Sequence, residues 1–286
     1  MVEVSAPPAA PAGSGSAGRA GRNLPVALAI GVGLGALILV TLYTAKPVFV
    51  AVMVAAIVLG MHELTKAFAT KNIHVPFFVL AIGATAIICT SYAIGRHAMT
   101  TAMLCTIPLL VVWRAVQGTD GVVVDVSASL LALLYIGFLA GFCGLMLAAP
   151  DGDRRVTCFI ATVVASDVGG YAAGVLFGKH RLAPRISPQK SVEGLLGSVV
   201  MCIAVGVALT MSLMSVQWWQ GILFGLAVAA AATLGDLWES MVKRDLGIKD
   251  MGTLLPGHGG LLDRLDSLLP TAPVAWALLA AYVPVH

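Results

Sequence analysis

The stretch LPVALAIGVGLGALILVTLY runs from Leu24 to Tyr43 and contains no charged side chain. A helix of this length rises about 30 Å, which matches the hydrocarbon core of a bilayer. The apolar region of a secretory signal is shorter, roughly 7–15 residues. We therefore interpret this stretch as a retained first membrane span.

The rest of the chain has the same apolar character. It is 59% hydrophobic and 11% charged, with a mean hydropathy of +0.95, whereas soluble domains carry roughly 25% charged residues. A soluble core has no room for so much apolar surface. The formal net charge of +3 is small, and we expect no nucleic-acid partner.

The apolar runs predict an all-α fold, a polytopic helical bundle of about nine transmembrane helices. Residues 1–23 are rich in Pro, Ala, Gly and Ser, and we expect a disordered tail there. Residues 24–150 then form N-terminal transmembrane helices, and residues 151–286 form a C-terminal region with two polar loops. The predicted spans are 24–43, 47–68, 75–95, 98–113, 128–149, 156–177, 195–215, 217–234 and 268–285.

The two polar loops, 178–194 and 235–267, lie on the same side of the membrane because two spans separate them. With the N-terminus inside, most of the 17 lysines and arginines are also inside, as expected for cytoplasmic loops. Much of that bias comes from the two loops themselves. The sequence thus predicts a multi-pass protein of the cell membrane with both loops on the cytoplasmic face.

The approach to the second loop predicts a helix that carries a polar stripe out of the membrane. Asp236, Glu239, Ser240 and Lys243 have the spacing of one helical face, and Gly247 offers a stop. Beyond it, acids alternate with bases and glycines. A solvated rim of charges is the simplest alternative, but it does not account for the glycines, which let a backbone approach a ligand closely.

The first loop has related features. With the end of the preceding span it reads SDVGGYAAGVLFGKHRLAPRISPQKSVEG, from Ser166 to Gly194. Asp167 lies inside an apolar span, where a carboxylate is costly and usually functional. Lys190 follows Ser187 closely. Carboxylates suit a hard cation such as Mg²⁺, and Lys and Arg suit phosphates. Together the two loops are typical of phosphoryl or nucleotidyl transfer.

The run SMVKRDLGIKDMGTLLPGHGGLLDRLD, Ser240 to Asp266, resembles the signature of the phosphatidate cytidylyltransferases, or CDP-diacylglycerol synthases. The upstream segment departs from that family at Gln189-Lys190-Ser191, where members often have Lys-Lys-Thr, and at Val192, where they often have Trp. Residues 24–150 match only as apolar spans. The signature positions present are Ser240, Lys243, Arg244, Lys249, Asp250, Gly252, Pro256, His258, Gly259, Gly260, Asp263, Arg264 and Asp266.

The resemblance implies transfer of CMP from CTP to phosphatidate, giving CDP-diacylglycerol and pyrophosphate for phospholipid synthesis. It also implies Mg²⁺ or Mn²⁺, with K⁺ as a second cation in some members, at carboxylates that match Asp236 and Asp250. Asp167 is a further candidate, either as a ligand of this metal or a second one, or as a group that supports the metal ligands. The partners would be CTP, phosphatidate and membrane lipid, and a homodimer is left open.

The same resemblance assigns roles to the remaining polar positions of the C-terminal catalytic region. The predicted catalytic residues, for phosphate contact or metal support, are Lys243, Arg244, Lys249, Asp263, Arg264 and Asp266. The predicted substrate-binding residues are Ser187, Lys190, Ser240, His258, Gly259 and Gly260. Two alternatives remain, a CTP-dependent lipid or polyprenol kinase and an ion-coupled transporter, although no internal repeat supports the transporter.

Overall fold

Helices make up most of the chain in the computed structural model, which describes residues 24–184, 186–252, 254 and 259–284. The predicted tail 1–23 and His258 lie outside these residues. Residues Leu133–Phe138 form a π-helical segment within the fifth helix. The α-helices of the described residues are α1 (Leu24–Thr44), α2 (Lys46–Ala69), α3 (Phe77–Ala93), α4 (Arg96–Ala115), α5 (Val122–Ala148), α6 (Gly152–Phe177), α7 (Val192–Met214), α8 (Trp218–Leu246) and α9 (Leu268–Tyr282).

The hydropathy of these helices supports a multi-pass membrane protein. Six of the described helices, α2 and α4 to α8, are long and apolar enough to cross a bilayer. Three apolar segments are shorter: α3, α9 and the part of α1 from Gly31. The helical, polytopic fold is thus confirmed, while the number of nine membrane crossings stays a prediction.

The loop predicted at 178–194 contains a short β-hairpin. Strand β1 (Arg181–Ala183) pairs antiparallel with β2 (Ser187–Ser191), and α7 begins directly after β2. The N–H of Val192 donates to the carbonyl of His180 at 2.9 Å and closes the hairpin. The described fold is therefore all-α apart from this two-stranded hairpin in the polar loop.

The second polar loop starts later than residue 235, because α8 continues to Leu246. The predicted helical stop at Gly247 is confirmed. Gly247 has φ +74°, in the left-handed region that favours glycine, and its N–H donates to the carbonyl of Arg244 at 3.1 Å. A short 3₁₀-helix, Leu262–Arg264, follows before α9.

The turns at the opposite end of the bundle contact one another. Lys46 donates to the carbonyl of Ala149 at 2.8 Å. Buried Arg155 donates to the carbonyl of Leu279 at 3.2 Å and to that of Val283 at 2.6 Å. One end of the bundle thus contains the start of α2, the start of α6 and the end of α9. Because successive helices alternate in direction, both polar loops lie at the opposite end.

Glycines bring α6 and α7 close together beneath the hairpin. A Cβ on Gly169 would lie 2.6 Å from the carbonyl oxygen of Gly197, so no side chain fits there without a shift. Small residues at such contacts let the backbones of membrane helices approach. This close pair, with α8 packed against α7, lies below the hairpin.

Candidate active site

A cavity of about 530 Å³ lies between α6, α7, α8 and the hairpin. Four predicted site residues line it: Asp167 of α6, Ser187 and Lys190 of β2, and Asp236 of α8. Most of the remaining lining residues are small or apolar. Two loops that are separate in sequence therefore contribute polar groups to one pocket.

Asp236 connects the two polar loops. Its Oδ2 forms an ion pair with Lys190 Nζ, and the hydroxyl of Ser240 donates to its Oδ1 at 3.4 Å. Both members of the ion pair are partly shielded, with 23% of the Lys190 side chain and 33% of the Asp236 side chain exposed. The ion pair attaches the hairpin to α8 at the cavity.

The polar stripe predicted on α8 is present and extends towards the second loop. Lys243 Nζ donates to Glu239 Oε1 at 3.0 Å and to Asp263 Oδ1 at 2.8 Å. Glu239 is 1% exposed, and its other oxygen has no partner among the described residues. The charge of Lys243 is therefore already engaged by two carboxylates, which favours a role in positioning over direct phosphate binding.

Asp263 organises the glycine-rich loop, which is the segment 247–267 between α8 and α9. Its Oδ2 accepts the N–H of Met251 and the N–H of Gly260, both at 2.9 Å. Burial opposes ionisation of Asp263, but its hydrogen bonds and ion pair with Lys243 hold the pKa of the carboxyl below its usual value. Asp263 is thus ionised at neutral pH and ties the two sides of the loop to α8.

Asp266 lies just before α9, where its Oδ1 accepts the N–H of Ser267 at 2.6 Å and the Ser267 hydroxyl at 3.0 Å. Burial raises the pKa of Asp266 to about 7, and the neighbouring carboxylates of Asp236 and Asp167 add to that shift. The three carboxylates therefore interact with one another. A cluster of like charges of this kind is relieved by a bound cation.

The remaining charged residues of the signature are exposed. Arg244, at the end of α8, donates to the carbonyl of Ile186 in the hairpin at 3.4 Å, and Arg264 interacts electrostatically with Asp167. Lys249 and Asp250 lie on the open loop after Gly247. These positions surround the polar end of the bundle, where an anionic ligand would approach.

The two carboxylates predicted to hold cations, Asp236 and Asp250, have different neighbours in the structure. Asp236 lines the cavity, whereas a Cβ on Gly259 would lie 3.6 Å from Asp250 Oδ1, on the glycine-rich loop. Among the described residues, no three Asp, Glu, His or Cys side chains could hold one metal ion. The oxygen donors fit a Mg²⁺ ion held by one or two carboxylates and completed by water and phosphate, not a cage made by protein alone.

A family model described as the cytidylyltransferase family matches residues 26–282. This chain belongs to the cytidylyltransferase family. The match extends the relationship into the N-terminal half, beyond the C-terminal motifs that carry the resemblance in the sequence alone.

Members of the cytidylyltransferase family from several bacteria are similar to this chain. A phosphatidate cytidylyltransferase of Mycobacterium leprae is 40% identical over 278 residues, covering 91% of this chain and 89% of the relative. One of Synechocystis is 32% identical over 83% of this chain and 90% of the relative. One of Helicobacter pylori is 42% identical over 54% of this chain and 57% of the relative.

Two acidic residues of this cytidylyltransferase were not among the predicted site residues. Glu239 was placed only on the polar face of α8, without a role. Glu63 of α2 is 6% exposed and accepts backbone N–H groups from Leu261 and Leu262. The available signal was an acid in an apolar helix, which is costly in a membrane, but its partners lie 198 and 199 positions away.

Proposed function

We propose that this protein transfers CMP from CTP to phosphatidate in a membrane, releasing pyrophosphate. The observation that carries the proposal is the cavity between membrane helices and the polar hairpin, lined by Asp167, Lys190 and Asp236. A lipid phosphate at the membrane surface and a water-soluble nucleotide can both reach such a site. Family membership and the names of relatives that align over most of their length support the same reaction.

In the proposed reaction, an oxygen of the phosphatidate phosphate bonds to the α-phosphorus of CTP. The bond from that phosphorus to the oxygen bridging the α- and β-phosphates breaks, and pyrophosphate leaves with the electron pair. No protein nucleophile is needed, so the protein orients the two phosphates and balances their charge. Lys190 and Ser187 are suited to hold phosphate within the cavity, and Arg244, Lys249 and Arg264 to hold phosphate at its edge.

We propose that Mg²⁺ or Mn²⁺ is held at Asp236, with Asp167 and Asp266 as neighbouring carboxylates. A divalent cation supplies charge neutralisation on the triphosphate when bound. Asp250 and a second cation, K⁺, remain predictions from the resemblance, as do the substrate contacts of Ser240, Gly259 and His258. Lys243 supports the site by joining α8 to Asp263.

The proposed topology has nine crossings, with the polar end of the bundle in the cytoplasm, where CTP is available. The nine described helices and the contacts at the opposite end support this arrangement. The homodimer stays a prediction, to be measured by light scattering of the protein purified in detergent.

The test uses purified protein in mixed micelles with phosphatidate, Mg²⁺ and CTP labelled at the α-phosphate. The expected products are a labelled lipid and one pyrophosphate for each lipid formed. A lipid kinase would instead transfer label from the γ-position and release CDP. Absence of α-label in lipid, with active protein confirmed by CTP binding, would overturn the proposal.

A further inference from the structure

Glu63 joins the N-terminal half of the chain to the glycine-rich loop. It lies near the end of α2, and its side chain is buried. One carboxylate oxygen accepts the N–H of Leu261 at 3.0 Å, and the other accepts the N–H of Leu262 at 2.8 Å. These donors lie at the start of the 3₁₀-helix, where backbone N–H groups lack partners within the helix.

Two signature glycines pack directly against the Glu63 carboxylate. A Cβ on Gly252 would overlap the carboxylate, and a Cβ on Gly260 would lie 2.8 Å from Glu63 Oε2 and 2.7 Å from the nitrogen of Gly252. Both sides of the loop therefore close around one acidic side chain. At these two positions, glycine permits close contact within the protein, because a side chain would overlap neighbouring atoms.

The contacts continue from Glu63 to the catalytic helix α8. The same loop carries Asp263, which accepts N–H groups from Met251 and Gly260 and forms an ion pair with Lys243. Lys243 lies on α8, two turns after Asp236. The position of the loop relative to the cavity thus depends on Glu63 on one side and Lys243 on the other.

Among side chains of the size of glutamate, only a carboxylate can accept both of these N–H groups. Each oxygen receives a different N–H, so a glutamine would turn its NH₂ group towards one of the two donors. A buried donor without an acceptor is costly, and the loop would shift to restore a partner. A displacement of about 1 Å at a reacting group can cost about 10²-fold in rate.

We propose that Glu63 is a positioning residue, which holds the glycine-rich loop and Asp263 in register with α8 for CMP transfer. This inference rests on the proposed function. In this role α2 is a part of the active-site framework in addition to a membrane span.

The experiment compares Glu63→Gln with a matched control, Asp125→Asn. Asp125 is also buried, and its carboxylate accepts the N–H of His74 and Arg114 Nε, both at 2.9 Å, neither of which belongs to the glycine-rich loop. Both variants are expected to lower the thermal midpoint in detergent. Only Glu63→Gln should lower kcat, by about 10- to 100-fold, with KM for CTP changed less than about threefold.

A second variant separates position from charge. Glu63→Asp keeps both acceptor oxygens but is one methylene shorter, so kcat should fall between those of the wild type and Glu63→Gln. If Glu63→Gln cannot be purified, Glu63→Asp against Asp125→Asn still gives the comparison. A wild-type kcat in Glu63→Asp and Glu63→Gln, or an equal kcat loss in Asp125→Asn, would overturn the inference.

A readout without activity distinguishes this inference from the proposed function. Met251 is 6% exposed, so a Met251→Cys probe in a cysteine-free background should react slowly with a maleimide. Adding Glu63→Gln should speed labelling at least about fivefold, and adding Asp125→Asn should not. An unchanged labelling rate contradicts the positioning role, whereas a wild-type protein that makes no labelled lipid contradicts the proposed function alone.

Discussion

Asp236→Asn is the substitution that most directly tests the cavity as the active site. The asparagine keeps the shape and can still accept from Ser240, but it removes the charge that pairs with Lys190. Loss of a partly exposed ion pair costs about 1 kcal/mol of stability or less. Loss of a principal electrostatic group in a catalytic site costs about 10²–10³ in kcat, or about 2.7–4 kcal/mol. Activity should therefore fall far more than stability.

Asp245→Asn provides the matched control for this substitution. Asp245 lies on the same helix as Asp236, is exposed, and does not line the cavity. Its removal should leave stability within about 0.5 kcal/mol, as for most surface changes, and kcat near the wild-type value because Asp245 lies outside the cavity. Initial rates with α-labelled CTP, measured across Mg²⁺ concentrations, compare both variants with the wild type. Near-normal turnover in Asp236→Asn, or an inactive Asp245→Asn, would refute the assignment of this carboxylate.

The same assay distinguishes two possible pairings of Asp236, one with Asp250 and one with Asp266. If Asp236 and Asp250 share a cation, their asparagine variants should be non-additive, because the second loss removes a site that the first has already broken. The electrostatic contacts instead connect Asp236 with Asp266. We expect stronger coupling for Asp236 with Asp266 than with Asp250, and the reverse order would favour the pairing implied by the resemblance.

Three further predictions concern the metal, the topology and the basic residues. EDTA should abolish activity and Mg²⁺ or Mn²⁺ should restore it, so full activity in chelator would exclude the proposed metal. On intact cells an impermeant maleimide should label Asp153→Cys but not Ile248→Cys in a cysteine-free background, and the opposite pattern would invert the orientation. Lys243→Met should lower kcat without rescue by CTP because it breaks two partly buried contacts, whereas exposed Lys249→Ala should raise KM and recover at high CTP. Equal behaviour of the two variants would contradict this division.

Hydropathy and helical periodicity predicted the parts of this fold that depend on local sequence. Each of the nine predicted spans corresponds to a described helix. Most ends agree within a few residues, but α5 begins earlier, at Val122, and α8 continues to Leu246. The polar face of α8 and its stop at Gly247 follow from helical spacing and from the left-handed conformation that glycine permits. Residue spacing along one helix fixes these features, so a single sequence is enough to find them.

The parts of the fold that depend on contacts between residues far apart in the chain were harder to predict from the sequence. The hairpin at 181–191 has short strands, without a regular alternation of apolar and polar side chains, so periodicity gave no signal for it. The contact of Glu63 with the loop joins residues 198 positions apart. The position of the two polar loops at one end of the bundle was predictable, but the pairing of Lys190 with Asp236 needed the structure.

The positions that carry the family resemblance divide into two groups with different consequences. Lys243, Gly252, Gly260 and Asp263 contact one another or Glu63, and they build the loop. Exposed Lys249 lies at the polar surface, where it can meet a ligand. A signature therefore marks an active site without marking which members touch substrate, because a loop that must hold its shape constrains residue type as strongly as a phosphate does. Substitutions in the first group should lower stability and kcat together, and a substitution at Lys249 should act mainly on substrate affinity.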